Sequence, residues 1–335
     1  MLQRCLLLSL LAAGSVSFPA KHHTAPAKHT RARVATRRTA ARKRAPALPD
    51  TLPPRDRIDR LIQRQERAGQ QVALAVVSLV GDTLIDSWHA IDPMIPASNL
   101  KILVTAAGWQ HWDGALVAGI RRKLGRRAFI HTQPKTPSGR RKPPARHSGR
   151  IAPDSEPGAD TLNLAFPEID SGTGIPGYDL LCRIGKLSDN YVANALLDCL
   201  AQRLNRSRLD VVRDYLEQNH IWSGGLNCED GSGRSPMDRT TALTLVHTLS
   251  RLWRVENRDA FVRCLSVAGE DGTLRRHDMA LGTRVRAKTG SIAGVFSLSG
   301  YLDRPDDTLA FSIVLNRCYD KRSAFEFFAG VLGTL

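Results

Sequence analysis

Arg284-Val285-Arg286-Ala287-Lys288-Thr289-Gly290-Ser291 decides how the rest of the 335-residue chain is read. Its first five residues alternate between small apolar and basic side chains, the period-2 pattern of a half-buried strand, and Gly290 closes the run. Phe296–Asp303 and Leu309–Leu315 follow as two further strand candidates, and Ser323–Leu332 has the apolar spacing of a closing helix. At the other end, Gln71–Val80 and Thr83–His89 are rich in β-branched residues and are separated by Gly81-Asp82, which predicts a hairpin with a two-residue turn. Ahead of them Ile58, Leu61 and Ile62 recur at helical spacing between Asp56 and Gly69. Strands at both ends with helices between them predict an α+β fold whose antiparallel sheet is completed by both termini.

Between these ends the chain has two helices of different character. From about Asn99 to Trp109 the apolar density is too continuous for a surface helix and predicts a buried one. Val192, Ala195, Leu196, Cys199, Leu200 and Leu204 mark one face of a second helix, starting just after Ser188-Asp189-Asn190. Residues 121–160 are dominated by Arg, Lys, Pro, Gly and Ser and predict a long exposed insertion, at about 120–160. The catalytic domain is thus expected over residues 51–335, interrupted there.

The N-terminus predicts export. Arg4 precedes an apolar run from Cys5 to Ala13, with Gly14, Ser15 and Ser17 after it, the layout of a secretory signal peptide over residues 1–17. Residues 18–50 have almost no large apolar side chain and predict a basic, disordered linker. The expected compartment is the periplasm.

The net charge of +16 is local. Residues 21–46 and 121–150 hold nine and eleven Lys or Arg and no acid, which leaves 28 basic against 32 acidic residues elsewhere. Such tracts suit an anionic wall polymer or membrane surface. They lack interleaved aromatic residues, which argues against nucleic acid as a partner. Beyond the leader, Cys182, Cys199, Cys228, Cys264 and Cys318 contain no Cys-x-x-Cys and no His/Cys cluster, so a metal site is not indicated. One or two disulfides are allowed, at least one thiol is left over or pairs between chains, and the connectivity stays open.

Three short segments carry chemistry. Pro96-Ala97-Ser98-Asn99-Leu100-Lys101 places Ser98 and Lys101 at i and i+3 if Ser98 opens a helix. A serine hydroxyl needs a neighbour to take its proton, and a desolvated lysine with a lowered pKa does that. Ser188-Asp189-Asn190 caps the next helix. It offers a hydroxyl to relay a proton to the leaving group and an amide to hold substrate and Lys101. Lys288-Thr289-Gly290-Ser291 at a strand end offers a cation and a hydroxyl for a substrate carboxylate, a glycine for close approach and the Ser291 N–H for an oxyanion. Each segment alone is common. Their occurrence together and in this order is not, and it is the set of penicillin-binding proteins and class A β-lactamases.

Further stretches narrow the resemblance. Val267–Arg276, Arg284–Ser291, Gly300-Tyr301 and Asp230-Gly231-Ser232-Gly233, together with the motifs above, closely resemble the D-alanyl-D-alanine carboxypeptidase/endopeptidase family of class C, penicillin-binding protein 4 type. The resemblance covers roughly residues 70–110 and 175–335. It implies a transpeptidase-like fold, shared with serine β-lactamases, and hydrolysis of D-Ala–D-Ala or D-Ala–diaminopimelate bonds in peptidoglycan through an acyl-enzyme on Ser98. Catalysis would fall to Ser98, Lys101, Ser188, Asn190 and Lys288, and substrate binding to Thr289, Gly290 and Ser291, with β-lactams as further ligands and no cofactor. Only 86 residues separate Lys101 from Ser188, where the family usually has a far longer span folded into extra domains. Accessory domains are therefore expected to be reduced or absent.

Two rival readings follow. A β-lactamase would need a deacylating base among Glu217, Glu229, Glu256 and Glu270, none of which sits in a recognisable loop pattern. A wall-binding paralogue that has lost activity would not need intact side chains at all three motifs. Trp109, Trp112, Trp222 and Trp253 read as packing residues, His247 and His277 as structural or surface groups, and Asp271-Gly272-Thr273 as a turn.

Overall fold

The computed structural model describes residues 52–129 and 173–335. The leader, the basic linker and most of the Pro-rich insertion lie outside the described residues. The first element, α1 (Pro54–Arg67), opens on a proline in its first turn with Asp56 beside it, and ends on Arg64 and Arg67, so its charges oppose the helix dipole at both ends. Two strands follow, β1 (Gln71–Ser78) and β2 (Thr83–Trp88). Late in the chain come β3 (Ser266–Val267), β4 (Val285–Ile292), β5 (Val295–Asp303) and β6 (Thr308–Asn316).

These strands form a 6-stranded sheet in the order β2-β1-β6-β5-β4-β3, with every neighbouring pair antiparallel. The N-terminal hairpin is thus joined to the C-terminal meander by β1 against β6, from Gln71 opposite Asn316 to Ser78 opposite Leu309. β1 alternates between two cores. Val72, Leu74 and Val76 face α1 and the closing helix α9 (Lys321–Leu332), while Ala73, Ala75 and Val77 face the other side. The small residues on that second face let helices approach the sheet.

That second layer contains α2 (Leu100–Trp109), α3 (Gly114–Leu124), α4 (Tyr178–Gly185), α5 (Asn190–Leu204), α6 (Arg208–Gln218), α7 (Ala242–Trp253) and α8 (Arg258–Arg263). Helix α2 is buried at every position from Leu100 to Gly108. A methyl group at Gly108 would meet the Leu196 side chain of α5 at 3.0 Å, so glycine sets the closeness of these two helices. The fold is α+β, an antiparallel sheet between two helical layers.

Several details differ from expectation. The hairpin turn is longer than two residues, because Leu79, just past β1, donates its N–H to the Thr308 carbonyl of β6 at 3.0 Å instead of pairing with β2, and buries its side chain. The insertion also starts later than residue 120. Leu116, Val117, Ile120 and Leu124 bury one face of α3, and Arg121 and Lys123 on its flank pair with Asp179 and Asp198. A 3-10 helix then runs from Gly125 to Phe129. Trp222 is 53% exposed and does not pack in the core, unlike Trp109, Trp112 and Trp253. His277 stacks on Phe325 at 3.8 Å, a structural contact.

Candidate active site

The first motif sits at the entrance to α2. Ser98 lies within one 3-10 turn, Ala97–Asn99, so it precedes the α-helix and does not open it. The turn still puts the hydroxyl above Lys101. The lysine Nζ lies 2.9 Å from Ser98 Oγ, 2.8 Å from Asn190 Oδ1 and 2.6 Å from the Ser232 carbonyl. Lys101 is 1% exposed, and burial lowers its pKa to about 7, against the opposing pull of Asp230 and Asp189. Ser98 is partly exposed. A solvent-facing hydroxyl backed by a buried amine near neutrality is the arrangement an activated serine requires.

Asn190 reaches Lys101 because Asp189 fixes the start of α5. The Asp189 carboxylate accepts from the N–H groups of Tyr191 and Val192, and its other oxygen holds Arg183 at 2.7 Å. Ser188 adopts a left-handed φ of 58°, a strained conformation for a serine in the turn between α4 and α5. Among the described hydrogen bonds none joins the Ser188 hydroxyl to Ser98, Lys101 or Lys288.

The third motif lies inside β4, which runs on to Ile292. Gly290 is packed against the first motif. A Cβ there would stand 2.2 Å from Ser297 Oγ, 2.8 Å from the Pro96 carbonyl and 3.1 Å from the Ser98 nitrogen. The β4 edge away from β5 pairs with β3 only at Arg286 and Ala287. Thr289, Gly290 and Ser291 therefore lie on an unpaired edge beside Ser98. Thr289 Oγ1 donates to Thr273 Oγ1 at 2.7 Å, and Ser291 is exposed. Lys288 is buried, donates to the Thr289 carbonyl at 2.7 Å, and has its pKa pushed well down by burial and by Lys101.

Other residues assemble these motifs. Asn99, fully buried, bridges the first and third motifs. Its amide donates to the Lys288 carbonyl at 2.8 Å and accepts from Ser299 Oγ at 2.7 Å. Asp230 aims the Ser232 carbonyl at Lys101. Its Oδ1 accepts from the Ser232 and Gly233 N–H groups at 2.7 and 2.6 Å, and Oδ2 accepts from Ser235 N–H at 2.9 Å. Burial raises the Asp230 pKa, but these bonds outweigh it and leave it below the ordinary value. A Cβ at Gly233, where φ is +78°, would stand 2.0 Å from the Ala97 carbonyl, so this loop accepts only glycine there.

Asp271 and Thr273 do more than shape a turn. Asp271 pairs with Lys186 at the end of α4 and accepts from the Val267 N–H at 2.8 Å. Thr273 N–H donates to the Lys186 carbonyl at 3.1 Å. The Ser188 turn and β4 are held together through this 3-10 segment. Both supports lie in stretches that carry the family resemblance, Asp230–Gly233 and Val267–Arg276. No group of three or more His, Cys, Asp or Glu residues able to hold a metal occurs among the described residues.

Residues 171–329 match the sequence pattern of the D-Ala-D-Ala carboxypeptidase 3 (S13) family. Over this region the chain is similar to the S13 family. It is 34% identical over 150 residues to a D-alanyl-D-alanine carboxypeptidase of an Actinomadura species, covering 41% of this chain and 28% of that protein. It is 28% identical over 134 residues to the Haemophilus influenzae D-alanyl-D-alanine carboxypeptidase, covering 37% of this chain and 28% of that protein. The chain thus matches under a third of the length of these two relatives. Among solved structures it is similar to penicillin binding protein 4 from Haemophilus influenzae, with a TM-score of 0.58, 14% identity, and coverage of 82% of this chain and 98% of that one. A β-lactamase from Sphaerobacter thermophilus gives a TM-score of 0.54 at 18% identity, covering 83% and 95%. The chain therefore has the fold shared by penicillin binding protein 4 and the serine β-lactamases.

Proposed function

We propose that the chain is a serine D-Ala-D-Ala carboxypeptidase acting on peptidoglycan peptides through an acyl-enzyme on Ser98. The observation that carries this reading is the buried Lys101 amine, 2.9 Å from the Ser98 hydroxyl and beside an open strand edge. Neutral Lys101 takes the Ser98 proton as the oxygen attacks the carbonyl of the penultimate D-Ala. The N–H groups of Ser98 and Ser291 hold the oxyanion, and the substrate backbone lies along Thr289–Ser291 as an added strand. The proton passes from Lys101 through Ser188 to the departing D-Ala nitrogen, which needs the Ser188 hydroxyl to turn towards Lys101. Water then cleaves the ester, with Lys101 again as base, and restores Ser98.

Thr289 is the direct partner for the substrate carboxylate. Lys288 lies behind the strand and contributes a positive field once the arriving carboxylate favours its charged form. Asn190 holds Lys101 and the substrate amide. Endopeptidase cleavage of D-Ala–diaminopimelate links uses the same groups, and β-lactams acylate the same serine. The sequence of residues 1–17 supports export to the periplasm, and the tracts at 21–46 and 121–150 suit contact with anionic wall or membrane surfaces.

Release of free D-alanine from a synthetic peptide ending in D-Ala-D-Ala, followed by mass spectrometry, tests the activity. The purified chain is expected to release one terminal D-alanine per peptide and Ser98→Ala none. Equal release by both proteins would remove Ser98 from the mechanism. Cleavage of cross-linked peptides under the same conditions reads the endopeptidase activity separately.

A further inference from the structure

The described cysteines do not share one environment. Cys228 donates to the Asp230 carbonyl and Cys318 to the Asp320 carbonyl, each within its own loop. Cys182 and Cys264 instead meet, with their sulfurs 3.2 Å apart although they are 82 positions apart in sequence. Cys182 lies on α4, six residues before Ser188, and Cys264 closes α8 two residues before β3. Both are buried in a small cluster with Tyr178, Leu181 and Ala260. The backbones around them are already locked in place. Tyr178 Oη donates to the Ala260 carbonyl at 3.0 Å, and a Cβ at Gly185 would stand only 2.1 Å from the Cys264 carbonyl. A tight cavity beside this pair is lined by Cys264, Gly185, Lys101 and Lys288. Cys264 therefore lies against the base of the active site, with Cys182 in contact with it.

We propose that Cys182 and Cys264 form a disulfide that clasps α4 to the α8–β3 junction and so fixes the Ser188 turn against β4. Bonded sulfurs lie about 2.05 Å apart, so closing the pair needs an approach of about 1 Å. The bond forms by thiol–disulfide exchange with a disulfide oxidant. One cysteine thiolate attacks the oxidant's disulfide and expels one thiol. The second cysteine thiolate then displaces the remaining thiol from the mixed disulfide. Two protons and two electrons leave the cysteine pair, and the oxidant is reduced to two thiols. Either cysteine can make the first attack. Burial of both sulfurs places the exchange during folding, before α4 and α8 close over them.

The clasp works alongside contacts already present. Lys186 follows α4 and pairs with Asp271, and the Lys186 carbonyl accepts from Thr273, which in turn bonds Thr289. A covalent link one turn upstream would hold the two walls of the site at a fixed separation and would shrink the conformational freedom of the unfolded chain.

The full chain, refolded in a glutathione redox buffer and separately with excess dithiothreitol, tests this by non-reducing peptide mapping and thermal melting. The expected result is a peptide pair joined through Cys182 and Cys264, lighter by two hydrogen atoms than its free components. The oxidised protein is expected to melt about 5 °C or more above the reduced one. That difference should vanish in Cys182→Ala and persist in Cys318→Ala. Recovery of both cysteines as free thiols from the redox buffer, or linkage of either to another cysteine, would overturn the pairing. A linked pair with no change in melting would overturn the clasp. Mapping of the unsubstituted chain decides the pairing even if Cys182→Ala fails to fold, and it does not depend on the enzyme's activity.

Discussion

Lys101 and Ser98 are three residues apart, and the chemistry of the site rests on what surrounds the lysine. Its three contacts are Ser98, Asn190 and the Ser232 carbonyl, and two of these came from motifs recognisable in the chain. The Ser232 carbonyl lies in the quoted Asp230–Gly233 stretch, but its role was not legible, because a backbone acceptor leaves no side-chain signature. The lysine's low pKa has two consequences. Acylation should require the neutral amine, so its rate is expected to rise with pH through about 7 and then level off. A pH–rate profile of acylation checks this, and a profile flat from pH 5 to 9 would remove Lys101 as base. For folding the sign follows from the proton count. The folded pKa of about 7 lies below the ordinary 10.5, so the unfolded chain binds more protons between these values. The lysine's contribution to stability therefore grows as pH rises from about 7 towards 10.5, measurable as the pH dependence of chemical unfolding once other groups are matched by a Lys101→Met control. Replacing Lys101 by alanine should slow acylation by about 10²–10⁴-fold.

At the scale of elements, the site depends on two approaches that only small residues allow. β4 crosses the Ser98 turn at Gly290, and the 230–233 loop crosses it at Gly233. Gly290→Ala should therefore abolish acylation while the far strands keep their pairing, because the added methyl group has backbone on two sides and cannot be moved aside. Retained circular dichroism with lost penicillin labelling is the expected pair of readings. Asp271→Asn tests the other support. Loss of the Lys186 ion pair should loosen the Ser188 turn and lower the acylation rate more than it lowers thermal stability, since the pair is partly solvated. The sequence showed the elements that carry the motifs, but not how they are fastened. The period of apolar residues marked α2, α5 and the strands. Asn99, Asp230 and Asp271 lie inside recognisable stretches, but the bonds by which they fasten the motifs are set by the tertiary fold, and local patterning carries no record of those bonds. The two-residue β3 escaped for a related reason: two residues cannot display a period. The start of the insertion was misplaced because the basic residues of α3 form the solvated flank of an amphipathic helix.

Across the described residues, the sheet joins the early hairpin to the last three strands, and its two faces serve different purposes. The face under α1 and α9 is a dense apolar core with Phe311, Phe327 and Phe328 buried in it. The opposite face carries small and hydroxyl residues, among them Ser297, Ser299 and Ser312, that hold Pro96 and Asn99 and so the Ser98 turn. Stability and chemistry are thus separable. Phe328→Ala, at a fully buried position, should lower unfolding free energy by about 3–5 kcal/mol and yet leave the acylation rate within a few-fold at a temperature where the protein stays folded. Chemical denaturation and labelling kinetics on the same sample check both halves. This division was partly legible in advance. Strands at both ends with helices between them were sufficient for the α+β layout, whereas the assignment of faces depended on register, which the sequence does not display.

The central claim is that Ser98 becomes acylated, and covalent labelling with a fluorescent penicillin tests it most directly. The purified chain is expected to give a stable labelled band, with the label mapped to the peptide containing Ser98 and absent from Ser98→Ala. A band that persists in Ser98→Ala, or no band from a folded protein over a range of penicillin concentrations, would contradict the account. A label that forms and is then lost as free drug is consumed would replace the carboxypeptidase reading with that of a β-lactamase.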